Sequence, residues 1–177
     1  MTEDHRDHIC YNLDLPYPPV QTGRDPKAAS LLLEDYSGVV SELSAVTQYF
    51  YASAQMQRRC QALYETMKYI AIAEMHHLDL LAQAVSAKGG DPRYVTMGGR
   101  KPEKCWNSGV IAYGKDPARI LLESIDAEQG AIDQYRRHIR CIEDSSVQAL
   151  LERIVLDEQS HLQLFQQLYR QLMGAAD

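Results

Sequence analysis

Apolar side chains recur along most of this chain at steps of three and four, the period of a helix packed on one face. From Pro26 to about Arg59 the series is Leu32, Tyr36, Val39, Leu43, Val46, Tyr49 and Phe50, which predicts a first helix. A second, from about Gln61 to Lys88, stops at Gly89-Gly90 with Pro92 close behind. Asp25-Pro26 and Asp116-Pro117 open the first and third helices alike: the aspartate accepts from free amides, and proline at the first helical position sacrifices no internal bond. The third helix runs to about Glu143. Ser145, with Gln148 three residues on, has the form of a capping box for a fourth that ends at Gly174.

Between these runs the pattern lapses twice. Residues 1–24 carry Pro16, Pro18, Pro19 and Gly23 and no helical period, so they read as an extended arm. Residues 89–115 hold six glycines and two prolines, and are too long for a tight turn between neighbouring helices. Four long helices, a short link, a long crossover and a second short link predict an all-α fold: an antiparallel four-helix bundle over residues 25–177, with the crossover between helices 2 and 3. The strand signal is weak everywhere.

Composition narrows the partners. A chain of 177 residues with 45% hydrophobic and 24% charged residues suits one soluble globular domain. Its 18 Lys and Arg against 24 Asp and Glu give a net charge of -6, which argues against nucleic acid or an anionic membrane as the main partner. No apolar run reaches the ~18 residues of a membrane span, and the start, Met1-Thr2-Glu3-Asp4-His5-Arg6, lacks the apolar stretch of a secretory signal. The four cysteines, Cys10, Cys60, Cys105 and Cys141, form no Cys-x-x-Cys pair. A reducing cytoplasm is the expected compartment.

The chemistry lies in an internal repeat. Glu42, Ala45, Gln48 and Tyr49 of the first helix return as Glu128, Ala131, Gln134 and Tyr135 of the third, at a constant offset of 86. Ile70, Glu74, His77, Leu78 and Leu80 of the second return as Ile154, Glu158, His161, Leu162 and Leu164 of the fourth, at an offset of 84. Glu74 and His77 share a face one turn apart, and that face also carries Ile70, Leu78 and Leu81, so it points inward. Glu158 and His161 sit likewise among Ile154, Leu162 and Phe165. Glu42 is flanked by Val39, Val46 and Tyr49, and Glu128 by Ile125, Ile132 and Tyr135. Four carboxylates and two imidazoles are thus expected to converge in the interior, with no inward Lys or Arg on these faces to balance them. Unpaired carboxylates in a dry core repel and cost several kcal/mol each. Two divalent cations would cancel the four negative charges, with both histidines neutral as ligands require.

This constellation resembles the ferritin-like superfamily, near its rubrerythrin-like, bacterioferritin-like and manganese-catalase-like branches, over about residues 26–173. Such proteins take one Glu from each of two helices and Glu-x-x-His from each of the others. The resemblance implies that Glu42 and Glu128 are terminal ligands, that Glu74 and Glu158 bridge, and that His77 and His161 each hold one metal. It implies a pair of iron or manganese ions, with zinc as a substitute, in a redox enzyme acting on hydrogen peroxide or dioxygen. Manganese would favour disproportionation of peroxide; iron would favour peroxide reduction or oxidation of ferrous iron. The alternative is a non-enzymatic protein that binds or sequesters iron or manganese.

Other residues take lesser roles. Tyr49 and Tyr135 are candidates to hydrogen-bond a ligand carboxylate or relay an electron. The resemblance gives Asp157 the free N–H of His77 as partner, with Ala73 at the matching place in the other half. Met75 stands where bacterioferritins carry a haem ligand, but haem is not expected. His76 is read as lying beside the site or on the surface, and His5, His8 and Cys10 on the arm are not counted as ligands. Cys105-Trp106 has no partner visible in sequence. The resemblance has gaps: there is no rubredoxin-type cysteine pair, no helix after residue 174, and an unusually long arm, so a storage shell of 24 subunits is not expected. The aromatics Tyr36, Tyr49, Phe50 and Tyr51 cannot all turn inward, which points to a homodimer contact.

Overall fold

The computed structural model describes residues 12–96 and 104–174. Among them are five α-helices: α1 (Pro26–Ser37), α2 (Glu42–Met56), α3 (Gln61–Ala87), α4 (Pro117–Cys141) and α5 (Ser145–Gly174). The expected fold is present: α2 with α3, and α4 with α5, form two antiparallel helical hairpins joined by the long crossover. No helix among the described residues is long and apolar enough to cross a membrane.

The first expected helix is two. A run from Pro26 to about Arg59 is broken at residues 38–41, and both pieces pack along the 27-residue α3. Gly38 marks the break: a Cβ there would lie 2.4 Å from the Glu34 carbonyl oxygen, closer than real Cβ atoms come. Ser41 then starts α2 afresh, its side chain accepting from the Ser44 amide. Val39 and Val40, read as part of an inward stripe, are exposed at this corner. The stripe beside Glu42 therefore consists of half-buried Val46 and fully buried Tyr49.

The remaining helix ends follow from local chemistry. Asp25 and Asp116 cap α1 and α4 as expected, each accepting from two amides of the first turn. At the end of α3, Gly89 takes φ +79°, Gly90 N–H bonds to Val85 O and Gly89 N–H to Ser86 O, a paired closure that needs glycine in the left-handed region. The capping box at α5 does not form. Asp144 is the cap, its Oδ1 accepting from the Ser146 and Val147 amides, while Gln148 donates to the Ile139 and Ile142 carbonyls at the end of α4. Asp144 also pairs with buried Lys88, which donates to the Gln21 carbonyl at 2.7 Å, so one lysine ties the arm, the end of α3 and the start of α5 together.

The crossover carries a short antiparallel pairing, β1 (Val95–Thr96) with β2 (Lys104–Cys105), and one 3-10 turn at Ser108–Val110. It is fastened to the bundle by hydrogen bonds from Trp106 Nε1 to Ser44 Oγ (3.0 Å) and from the Ala112 amide to Gln48 Oε1 (2.9 Å). Cys60, Cys105 and Cys141 are free thiols.

Two apolar clusters fill the bundle, one at each end. One gathers Leu32, Tyr36, Leu81, Val85, Ile132, Tyr135, Leu150 and Ile154; the other gathers Tyr49, Met56, Met67, Ile70, Leu121 and Phe165. The repeat is visible here, since Ile70 and Tyr49 belong to one cluster and their counterparts Ile154 and Tyr135 to the other.

Candidate metal centre

Between the clusters the structure brings together all six repeated acidic and imidazole side chains. Glu42, Glu74, His77, Glu128, Glu158 and His161 are each at most 3% exposed. Glu42 comes from the first turn of α2, Glu128 from α4, and each long inner helix contributes its Glu-x-x-His pair from one turn. They form two overlapping groups: Glu42, Glu74, His77 and Glu158, and Glu74, Glu128, Glu158 and His161. In each group the donor atoms lie within 4.8 Å of one another, and Glu74 and Glu158 belong to both.

Both imidazoles turn Nδ1 inward. His77 Nδ1 is 2.9 Å from Glu74 Oε2, 3.0 Å from Glu158 Oε1 and 3.8 Å from Glu42 Oε2. His161 Nδ1 is 3.1 Å from both Glu158 Oε2 and Glu74 Oε1, and 3.9 Å from Glu128 Oε1. The arrangement has an approximate two-fold relation, each histidine facing its own helix's glutamate, the other Glu-x-x-His glutamate, and one glutamate from α2 or α4.

Two tyrosines complete the relation. Tyr49 donates to Glu128 Oε1 at 2.5 Å, and Tyr135 donates to Glu42 Oε1. Each tyrosine thus holds the glutamate of the opposite half. Burial, and then the facing carboxylate, raise both phenols well above their ordinary value, which keeps them donors.

The charges are unevenly held. Burial first, and then the charges of Glu74 and Glu158, push Glu42 and Glu128 well above the carboxylate range. Burial pushes Glu74 and Glu158 up as well, but the two histidines outweigh it and both end below their ordinary value. Burial alone would lower His77 and His161, yet the surrounding carboxylates raise both well above theirs. The two imidazoles and the two shared glutamates thus favour each other's charged forms, while burial and like charge act against charge on Glu42 and Glu128.

Two oxygens of this layer are less well matched. Glu74 Oε1 and Glu158 Oε1 are buried and make no aligned hydrogen bond; each meets an imidazole nitrogen alone, His161 Nδ1 at 3.1 Å and His77 Nδ1 at 3.0 Å. They belong to the two glutamates common to both groups. Carboxylate and imidazole donors suit iron, manganese and zinc alike, and three carboxylates with one imidazole per group fit a pair of such cations.

A cavity of about 270 Å³ reaches the centre between α2 and α4. Ala45, Ala127 and Ala131 line it together with Glu42, Glu128, Tyr49 and Tyr135. The repeated alanines therefore have a role: no side chain at these places is large enough to close the space.

A family model for the ferritin-like domain matches residues 38–174. The chain belongs to the ferritin-like family. It is 24% identical over 160 residues to a probable manganese catalase of Clostridium acetobutylicum, covering 81% of this chain and 70% of that one. It is 26% identical over 114 residues to a bacterioferritin of Desulfovibrio desulfuricans, covering 63% of this chain and 58% of that one. In structure it superposes on a manganese catalase from Anabaena with a TM-score of 0.79 at 26% identity, over 90% of this chain and 78% of that one.

Other sequence candidates lie behind the centre or away from it. Asp157 Oδ2 is 3.2 Å from His77 Nε2, as expected. Met75 and His76 are on the exposed face of α3, His76 in edge contact with the Tyr17 ring at 5.0 Å. Phe50 is exposed, Tyr36 and Tyr49 are buried, and Tyr51 meets Tyr113 edge to face. His5, His8 and Cys10 lie outside the described residues. A buried arginine lies off the faces that carry the glutamates. Arg153, 6% exposed, lies one turn before Asp157 and pairs with it at 2.8 Å, so it balances Asp157 and not the four glutamates. Tyr17 of the arm also touches this corner, its hydroxyl 3.3 Å from His77 Nε2. No periodicity marks the arm, so only its aromatic-proline composition hinted at packing.

Proposed function

We propose that this protein is a dinuclear metal oxidoreductase of the ferritin-like family, holding two iron or manganese ions and acting on hydrogen peroxide or dioxygen. The observation that carries the reading is the pair of overlapping donor groups sharing Glu74 and Glu158, six buried donors whose ligand atoms lie within 4.8 Å of one another in each group. Glu42 and His77 would complete one ion's set, Glu128 and His161 the other's. When bound, such a pair would supply two one-electron changes, the number needed to cleave the O–O bond of one peroxide or to oxidise another to dioxygen.

The residues around it have definable tasks. Glu42 and Glu128 face the cavity, and Tyr135 and Tyr49 hold one oxygen of each, limiting how far these carboxylates can swing. The alanines of α2 and α4 leave a passage for a small molecule, while the apolar clusters above and below keep bulk water out. As ligands both Nδ1 atoms and all four carboxylates would be deprotonated, so metal uptake would be coupled to proton release. The likeness to manganese catalases covers more of the chain than the likeness to the bacterioferritin, which supports peroxide as substrate.

A second reading, binding or sequestration of iron or manganese without turnover, is supported by the bacterioferritin likeness. One experiment separates them. Protein loaded with manganese or with iron is assayed side by side for hydrogen peroxide consumption, oxygen release and ferrous iron oxidation. Consumption of peroxide by either form supports the enzyme; about two metals per chain with no turnover of any substrate supports sequestration.

A further inference from the structure

The crossover between α3 and α4 passes over the cavity that leads to the centre. Val110 and Ala112 of this segment line the cavity, as do Val39 and Val40 of the corner between α1 and α2. Three hydrogen bonds fasten the segment, and each uses a side chain that itself lines the cavity. Trp106 Nε1 donates to Ser44 Oγ at 3.0 Å and the Ala112 amide to Gln48 Oε1 at 2.9 Å, both on α2. The Gly114 amide donates to Glu123 Oε2 at 3.0 Å, on α4. The segment thus bridges α2 and α4 across the space between them.

The internal repeat holds both sides of this mouth. Gln134, the counterpart of Gln48 at the offset of 86, donates to Val40 O and to Asp35 Oδ1, each at 2.8 Å, and lines the same cavity. One repeated glutamine ties down the crossover and the other ties down the corner. The metal reading uses the glutamates and histidines of the repeat; holding the mouth gives its glutamines a task.

We propose that residues 106–114 form a roof over the cavity, latched by Gln48, and that this latch confines the centre to molecules the size of hydrogen peroxide or dioxygen and keeps alkyl hydroperoxides out. The proposal deepens the oxidoreductase reading above and rests on it. Hydrogen peroxide slips between packed side chains during small fluctuations, whereas a branched alkyl group enters only when the roof is displaced. Removing one hydrogen bond of ordinary strength raises the population of the displaced roof about fivefold. Gln48 is a positioning residue: it acts on the roof and not on the reacting atoms.

The test compares the wild type with two variants that break the same bond from opposite sides. Gln48→Leu keeps the bulk and removes the acceptor; Ala112→Pro removes the donor. Ile111, at φ −96° and ψ 156°, already has the extended backbone that a following proline requires, so the second variant leaves the bundle alone even where the first does not fold. In metal-free protein, Trp106, the chain's single tryptophan, reports on the roof through quenching of its fluorescence by acrylamide. In protein loaded with ferrous iron without oxygen, the rate of iron oxidation by tert-butyl hydroperoxide is compared with the rate by hydrogen peroxide. Each hydroperoxide takes two electrons from the iron pair and two protons from solvent, and leaves as tert-butanol and water.

The wild type is expected to react far more slowly with tert-butyl hydroperoxide. Each variant is expected to increase Trp106 quenching and to raise the tert-butyl hydroperoxide rate, relative to hydrogen peroxide, about fivefold. The double variant gains no more than either single one, since only one bond is lost. Unchanged quenching in both variants, an equal rise of both rates, additive gains in the double variant, or a wild type indifferent to peroxide size would each overturn the latch. Loaded wild type oxidised by neither peroxide overturns the oxidoreductase reading and the latch with it; oxidation by hydrogen peroxide with no change of ratio in the variants overturns the latch alone.

Discussion

At the scale of single residues, the interior of this bundle is organised by which polar atom answers which. Glu74 and Glu158 stand out because each has a buried oxygen that meets an imidazole nitrogen alone, in a layer where Glu42 and Glu128 are each held by a tyrosine. Replacing either by Ala is expected to abolish binding of a metal pair, measured as metal content after loading and desalting. Glu143→Ala, at an exposed position, is expected to keep both metals. A second buried pair flanks the centre, with Asp35 at the edge of the cavity. His138 Nδ1 lies 2.8 Å from Asp35 Oδ1, and Gln134 donates to the same aspartate at 2.8 Å. Burial would lower His138, but Asp35 and Glu34 raise it. Burial raises Asp35 against the pull of His138. Both groups hold protons more tightly in the folded chain, so their contribution is full below the unfolded values and fades as pH climbs through the folded ones. The gap in melting temperature between wild type and His138→Gln is accordingly expected to be larger at pH 6 than at pH 9. A gap that widens with pH would contradict this sign.

At the scale of elements, the corner between α1 and α2 sets where Glu42 stands. α2 begins at Glu42, so the break at 38–41 places this carboxylate in a first turn facing the layer, and Gln134 pins the corner by donating to Val40 O at 2.8 Å. Gly38→Ala would force a Cβ against the Glu34 carbonyl, and about 1–3 kcal/mol of destabilisation is expected from such a clash, read by denaturant unfolding. This break was not legible in sequence. Val39 and Val46 continue the helical period across it, and the Gly-x-x-Ser spacing that produces the corner was outweighed by that rhythm. The cap of α5 was misread for a related reason: Ser145 and Asp144 are both good caps, and it is the buried ammonium of Lys88, brought from another helix, that favours Asp144.

At the scale of the whole molecule, a layer of ionisable groups sits between two apolar clusters, and the proposed cations would relieve the crowding of its four carboxylates. Loading is expected to raise thermal stability. At a free metal concentration 100-fold above its dissociation constant, each ion adds about 2.7 kcal/mol, or roughly 5–10 °C in melting temperature for a chain of this size. Chelation should reverse the gain, and equal melting of metal-free and loaded protein would tell against an interior metal pair. The sequence by itself determined the bundle, its long crossover and the six inward side chains, because helical period and an internal repeat are local signals that survive in one dimension. Only the tertiary structure decided the broken first rod, the reciprocal tyrosine–glutamate bonds, and the joining of Tyr17, Arg153 and Asp157 behind His77. These depend largely on atoms 79 to 144 residues apart meeting in a dry interior, where burial, and not sequence spacing, sets which partners a polar group must find.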